Sequence, residues 1–303
     1  MAGTDVTDII SRNPVRRRAL SDPLLLIGAF IVTIAVLLAL FAPFIAPYDA
    51  TTVTPDFSMP PPTLSELPGL FWDTLTATNE TPPHWMGTDA NGYDIFSRVI
   101  SAPRTDLSIA LAANTISLIL GVTVGLLAGY FQNTATEIIM RISDVIQSFP
   151  AFISAMILVA LAGRSTVNIV IALALLYTPI YIRLTRAEVL SQKSRGYVEA
   201  ARAMGNSELG VAIRHVLPNS LTPALIQSSV TIGFAILLTA GLSYVGAGVR
   251  PPTPEWGLMI STGANQIILG EWWPSVFPGI AISLTVFGSA VIGNALERHY
   301  DKS

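Results

Sequence analysis

The residues able to do chemistry are few and scattered. Three histidines, His84, His215 and His299, are too dispersed for a metal cluster, and no His-Glu-x-x-His or Gly-x-Ser-x-Gly occurs. Cysteine is absent, which removes thiol nucleophiles, disulfides and zinc-finger spacings together. The two lysines, Lys193 and Lys302, follow no Gly-x-x-x-x-Gly, so a phosphate-cradling loop is missing. No basic groove with interleaved aromatics suggests nucleic acid. What remains is a set of polar side chains inside apolar stretches: Asn114 and Thr115, Asn168, and Gln227, Ser228 and Thr231. In hydrocarbon each of these needs a partner, so they face protein or water. Interhelical hydrogen bonds and solute contacts are both open to them. Gln227 and Thr231, one helical turn apart, are the best pair for a pathway.

The elements that must position these residues follow from composition. Of 303 residues, 51% are hydrophobic and 12% charged, against about 25% charged in soluble domains. A hydrocarbon core about 30 Å thick needs roughly 20 apolar residues in a helix. Six such blocks occur: Leu24–Ala46, Leu107–Tyr130, Val145–Ala162, Val167–Leu184, Ala224–Val245 and Ser275–Leu296. None carries an ionisable group near its middle. The expected fold is an all-α polytopic membrane protein. Arg12, Arg16, Arg17 and Arg18 precede the first block, but its length exceeds the roughly 7 to 15 residues of a secretory h-region, so it reads as an uncleaved anchor.

Orientation follows from the basic residues. With both termini cytoplasmic, only Arg98, Arg104, Arg164 and Arg250 of the 17 Lys and Arg fall outside, as the positive-inside rule requires. Residues 1–23 are then a cytoplasmic tail, 24–46 the first helix, 47–106 an outside segment, 107–296 a five-helix core containing the cytoplasmic loop 186–219, and 297–303 a second tail. The outside segment holds eight acidic and two basic residues, and its prolines (Pro60, Pro61, Pro62, Pro68, Pro82, Pro83) favour an extended cover. The loop Gly246–Pro274 is expected to be stiff and non-helical because of Pro251, Pro252 and Pro254. All five tryptophans, Trp72, Trp85, Trp256, Trp272 and Trp273, fall outside, where interfacial rings belong.

Three local patterns stand out. Thr134-Ala-Thr-Glu137 is a capping-box pattern and Glu137–Arg141 an i, i+4 pair, marking a helix start or, with Asp144, an ion path. Gly121, Gly125 and Gly129 make a ridge for close helix packing, within this chain or against a paired one, or else a pathway wall. Between the fourth and fifth blocks, Ser194 to Asn219 reads as two helices joined at Gly205, which can take positive φ. Tyr197, Ala201 and Met204 form the apolar stripe of the first, with Glu199 and Arg202 off it. Asn206 is expected to cap the second, whose apolar positions are Leu209, Ile213, Val216 and Leu217, and Pro218 to stop it. Its alanines suit a close fit in a partner's groove; resting on lipid headgroups is the alternative.

Here the residues resemble a known family. Glu199-Ala-Ala-x-x-x-Gly205 with Ile213 and Leu217-Pro218 resembles the cytoplasmic signature of binding-protein-dependent ABC importer permeases. Gly87-Thr-Asp-Ala-Asn-Gly-Tyr-Asp-Ile-Phe-Ser-Arg98, Arg141-Ile-Ser-Asp144 with Phe149-Pro150, and Pro251-Pro-Thr-Pro-Glu-Trp-Gly257 narrow it to the C-type permease of dipeptide, oligopeptide and nickel importers. Tyr93 stands where that family usually has Arg, and the insert from about Thr54 to Pro83 is long for it. The resemblance implies a type I importer permease in a bacterial or archaeal cytoplasmic membrane. It also implies that Tyr197, Val198, Glu199, Ala200, Ala201, Arg202, Ala203, Met204 and Gly205 form a coupling helix seated in a cytoplasmic ATPase. A homologous second permease, two ATPases holding ATP and Mg, and an extracytoplasmic solute-binding protein are the implied partners. This chain itself is expected to bind no cofactor or metal and to catalyse nothing. An ion-coupled secondary transporter working alone is the alternative, and it would need the mid-membrane ionisable groups that the blocks lack.

Overall fold

The computed structural model describes residues 22–76 and 81–300. The basic cluster from Arg12 to Arg18, and Lys302, lie outside the described residues. Among the described residues five helices are long and apolar enough to span a bilayer, and a sixth crossing results if one bent pair counts as a span.

Helix α1, Pro23–Ile45, begins where the Asp22 carboxylate accepts from the Leu24 N–H at 3.0 Å. It is apolar all round and buries only Gly28, Ala35 and Ala42. Lipid tails are as apolar as leucine, so contact with the bundle falls to small residues: a Cβ on Gly28 would come within 2.8 Å of the Gly288 carbonyl oxygen. Helix α2, Leu67–Leu75, is a short element in the segment expected outside.

The second block extends further than its hydropathy suggests. Helix α3, Ile95–Phe131, has 37 residues, about 55 Å, and starts at Asp94, whose side chain accepts from the Ser97 N–H at 2.7 Å. Arg98, Arg104 and Asp106 therefore belong to a helix and not to a loop. Pro103 inside it cannot bond the Val99 carbonyl. That carbonyl accepts instead from the Trp256 indole N–H, at 3.0 Å.

The third block is not one straight helix. Helices α4, Thr134–Gln147, and α5, Ala151–Ala162, meet at 94° around Ser148, Phe149 and Pro150, because a residue preceding proline is pushed out of the α region. The capping box of α4 pairs Asn133 with Thr136, in place of the expected Thr134 and Glu137. No ion pair joins Glu137 to Arg141 among the described residues; Asp144 pairs with Arg183 at 2.9 Å. Arg183 is thus a charge within the end of the fourth block.

Helix α6, Thr166–Lys193, packs along α3 and runs parallel to it, since Ser117, Gly121, Gly125 and Gly129 meet Ala174, Thr178, Ile182 and Val189 in turn. The glycine ridge is the contact: a Cβ at Gly121, Gly125 or Gly129 would fall 2.3 Å from Tyr181 Cβ, 2.8 Å from the Ile182 oxygen or 2.8 Å from Val189 Cγ1. The 186–219 loop continues as α7, Gly196–Ala203, α8, Glu208–Val211, a π-helical turn at Ala212–Val216, and α9, Leu217–Ser220. Helix α10, Thr222–Tyr244, follows.

The next loop is more ordered than its prolines suggest. It contains α11, Trp256–Gly263, and a 3-10 turn at Ile267–Leu269 before α12, Trp273–Tyr300. The prolines precede α11, whose first N–H groups, on Gly257 and Leu258, donate to the Glu255 carboxylate at 2.9 and 2.7 Å. Trp256 and Trp273 are core residues and not interfacial rings, because each indole N–H finds a buried carbonyl, that of Val99 or of Thr88. Residues 84–98 likewise pack inward and are not an extended cover: His84, Thr88, Asp94 and Arg98 are buried, and Thr88 pairs with Asp94 in an isolated bridge.

Candidate functional site: a docked helical hairpin and a cavity between helices

The hairpin after α6 is fastened to the bundle by one face. Val198 and Ala201 of α7 and Val211, Ala212 and Val216 beyond it pack on Leu126 and Tyr130 of α3 and Val189 of α6. The buried face is thus set by Val198 and Ala201, whereas Tyr197 and Met204 of the expected stripe are exposed, Met204 at 74%. Leu209 and Ile213 also face outward. Glu199, Ala200 and Ala203 complete an exposed rim. Gly205 adopts φ +83° with open space around it, so the left-handed turn and not crowding calls for glycine. Ser207, not Asn206, caps α8, accepting from the Gly210 N–H at 3.2 Å; the Asn206 amide donates back to the Ala201 carbonyl at 2.9 Å. Pro218 does not end the helix. The preceding turn widens, the Leu217 N–H donating to the Ala212 carbonyl, and Pro218 sits in the first turn of α9 where no N–H is required.

A polar clasp completes the docking. The Tyr130 hydroxyl donates to the Glu208 carboxylate and accepts from Arg202 Nη2 at 3.1 Å; Arg202 Nε lies 3.2 Å from Glu208 Oε1, and Lys193 Nζ donates to the Tyr130 carbonyl at 2.6 Å. The hydroxyl and the guanidinium hold Glu208 below the ordinary carboxylate range. Sequence reasoning had no signal for Tyr130, 78 residues away from Glu208.

The polar residues within the spans separate into four groups. Gln227 and Thr231, whose side chains lie 3.4 Å apart, line a cavity of about 580 Å³ with Tyr177, Ile180, Phe152 and Phe234. Asn114 and Ser228 instead bond the Tyr181 hydroxyl, at 2.5 and 3.3 Å, and so tie α3 and α10 to α6. Thr115 is exposed on another face of α3. Asn168 closes the end of α5, its amide donating at 2.8 Å to the carbonyls of Ala162 and Gly163.

At the other end of the bundle two buried groups join distant segments. The Arg98 guanidinium donates to the carbonyls of Ala50 at 2.9 Å and Pro252 at 3.1 Å and lies 4.4 Å from the Tyr93 ring centre. Tyr93 here is a platform for Arg98. Glu255 and Asp106 are both buried and influence each other's ionisation, and Asp106 accepts from the Trp256 N–H at 3.3 Å. Burial raises Glu255 above its ordinary value. No group of three or more His, Cys, Asp or Glu among the described residues is placed to hold a metal.

Long apolar helices packed through small residues, one span broken beside a cavity, and a helical hairpin clasped to their ends are the build of a multi-pass membrane transport protein. The chain belongs to the family of binding-protein-dependent transport system inner membrane components, whose model matches residues 121–303. Residues 14–62 match the N-terminal transmembrane domain of oligopeptide transport permease C. The di/tripeptide transport system permease of Pseudomonas aeruginosa (strain UCBPP-PA14) is 38% identical over 90% of this chain and 86% of its own. A glutathione transport system permease of Pectobacterium atrosepticum is 33% identical over 98% and 93%. The probable D,D-dipeptide transport system permease of Escherichia coli K12 is 34% identical over 91% and 86%. The chain is accordingly a permease of the ABC importer type.

Proposed function

We propose that this chain is one of two permease halves in an ATP-driven importer of short peptides in a bacterial cytoplasmic membrane. The hairpin carries the reading. It is fastened by Val198, Ala201 and the Tyr130 clasp, while Glu199, Ala200, Ala203 and Met204 are left free for another protein. The chain has no phosphate-cradling loop of its own, so hydrolysis belongs to two ATPases that seat on α7, with both termini on their side. ATP and Mg stay with them. A homologous permease faces the cavity beside Gln227 and Thr231, and a solute-binding protein delivers cargo to the opposite face. Alternating access then requires contacts that differ between two states, which the exposed rim of α7 is placed to make. Peptides are favoured as cargo because the relatives' names share that chemistry. The test is reconstitution of the chain with these partners in proteoliposomes, where concentrative, ATP-dependent uptake of a labelled di- or tripeptide is expected. Concentrative uptake by the single chain, without ATP or partners, overturns the proposal.

A further inference from the structure

Helix α5 starts without a cap. Pro150 offers no side-chain acceptor, and the first N–H groups, on Ala151, Phe152 and Ile153, donate to no acceptor among the described residues. Such a terminus carries partial positive charge and free donors, both suited to an anion. It opens on the cavity of about 580 Å³, whose wall includes Ala151 and Phe152. Tyr177 lines the same cavity with a side chain only 7% exposed, and its hydroxyl has no hydrogen-bond partner among the described residues. That hydroxyl is free to bond a group that enters the cavity. Gln227 and Thr231 add an amide and a hydroxyl on the facing helix.

The depth of this place follows from helix rise. Tyr177 lies about 16 Å along α6 from Thr166 and about 24 Å from Lys193, and Thr231 is likewise in the middle of α10. Free backbone donors at mid-membrane are tolerated only where they line a water-filled or solute-filled space, and a half-helix N-terminus aimed there favours a carboxylate. No Asp, Glu, Lys or Arg lines the cavity. Its hold on an anion therefore comes from neutral donors alone, which permits release.

We infer that the N-terminus of α5, with the Tyr177 hydroxyl and the Gln227–Thr231 pair, forms a transit subsite for the carboxylate of the solute. The inference rests on the peptide-permease reading above. The test uses the reconstituted four-component complex, with the binding protein saturated in turn by a labelled dipeptide and by its C-terminal amide; the readout is the ratio of acid to amide uptake. Two variants perturb different parts of the site. Tyr177→Phe removes the hydroxyl. Ala151→Pro removes one N–H at the first helical position, where proline is accepted and Pro150 already has the extended conformation a following proline demands. The wild type is expected to favour the acid, and each variant to lower the ratio on the order of tenfold, as loss of one charge-assisted hydrogen bond does. A wild-type ratio near one, or variants that slow both cargoes equally, overturns the subsite and leaves the importer reading standing. A wild-type complex that imports no peptide overturns that reading, and the subsite with it.

Discussion

Replacing Trp256 by Phe should expose how α3 tolerates a proline. Pro103 leaves the Val99 carbonyl without an intrahelical donor, and the Trp256 indole supplies one at 3.0 Å in a buried setting. Trp256→Phe orphans that oxygen at a cost of about 1–3 kcal/mol, and the lost half of the ring system adds about 1 kcal/mol of packing. Pro103→Ala in the same chain returns an N–H at the right position, so it should recover the first part of the loss and not the second. Because removing a proline from a helix has its own effect on stability, the quantity to read is the coupling energy of the double-mutant cycle. Unfolding by titration with SDS from mixed micelles gives the four stabilities. A coupling of at least about 1 kcal/mol, with the double variant more tolerant of Trp256→Phe than the parent, is expected. If Trp256→Phe costs less than about 0.5 kcal/mol, or its cost is the same in both backgrounds, the indole is not the partner that Pro103 requires.

Glu199→Lys should leave the thermal stability of the assembled complex unchanged, since the side chain is exposed, yet reduce ATPase stimulation by loaded binding protein at least about tenfold if α7 is the seat of the ATPase; normal stimulation removes α7 from that role. Gly205→Ala should cost about 1 kcal/mol in stability through the φ of +83° alone, and Gly205→Asn less, as read by melting in detergent; equal melting for all three denies the strain. Glu255 has its proton affinity raised by burial, so the folded state holds its proton more tightly than the unfolded chain. Stability from this source is complete below the ordinary carboxylate range and is lost as pH rises through the raised value. Glu255→Gln, which removes the titrating carboxyl, should flatten that slope in pH-dependent melting curves, and an unaltered slope would assign it to another group. Leu64, 87% exposed, should as Leu64→Cys react with an impermeant maleimide in intact spheroplasts; reaction only after permeabilisation would reverse the proposed orientation.

Much of the bundle is legible in its sequence where a single segment decides the outcome. The first, fourth and fifth blocks begin or end within two residues of α1, α6 or α10 at the ends not masked by polar residues, and the turn at Gly205 follows from one residue's freedom. The misses share a cause: distant partners. Hydropathy ends α3 at Leu107 because Arg98 and Asp106 are charged, but Arg98 is matched by the carbonyls of Ala50 and Pro252, and Asp106 accepts from the Trp256 N–H. Those partners cannot be seen from the first turns of α3. Similarly, 3.6-residue periodicity allows two faces for α7, one through Tyr197 and one through Val198. Tyr130 and Val189 on other helices settle it in favour of Val198. Phe149-Pro150 is the local cause of the bend between α4 and α5, but an unbroken run of apolar residues conceals a change of direction, and reading Val145–Ala162 as one span misses it. For the cavity, Gln227 and Thr231 were legible as a pair, whereas the free donors of α5 follow only once the bend is known.

The length of α3 has a mechanical meaning. Arg98, near one end, is knotted to the segments around Ala50 and Pro252; Tyr130, at the other, grips Glu208 and Arg202 of the hairpin. Thirty-two residues of continuous helix separate them, about 48 Å, with no loop in between to absorb motion. A tilt imposed on the hairpin would therefore arrive at the opposite face as a sideways sweep of Arg98 and Trp256's anchorage, and the glycine ridge against α6, where backbones nearly touch, is placed to act as the fulcrum.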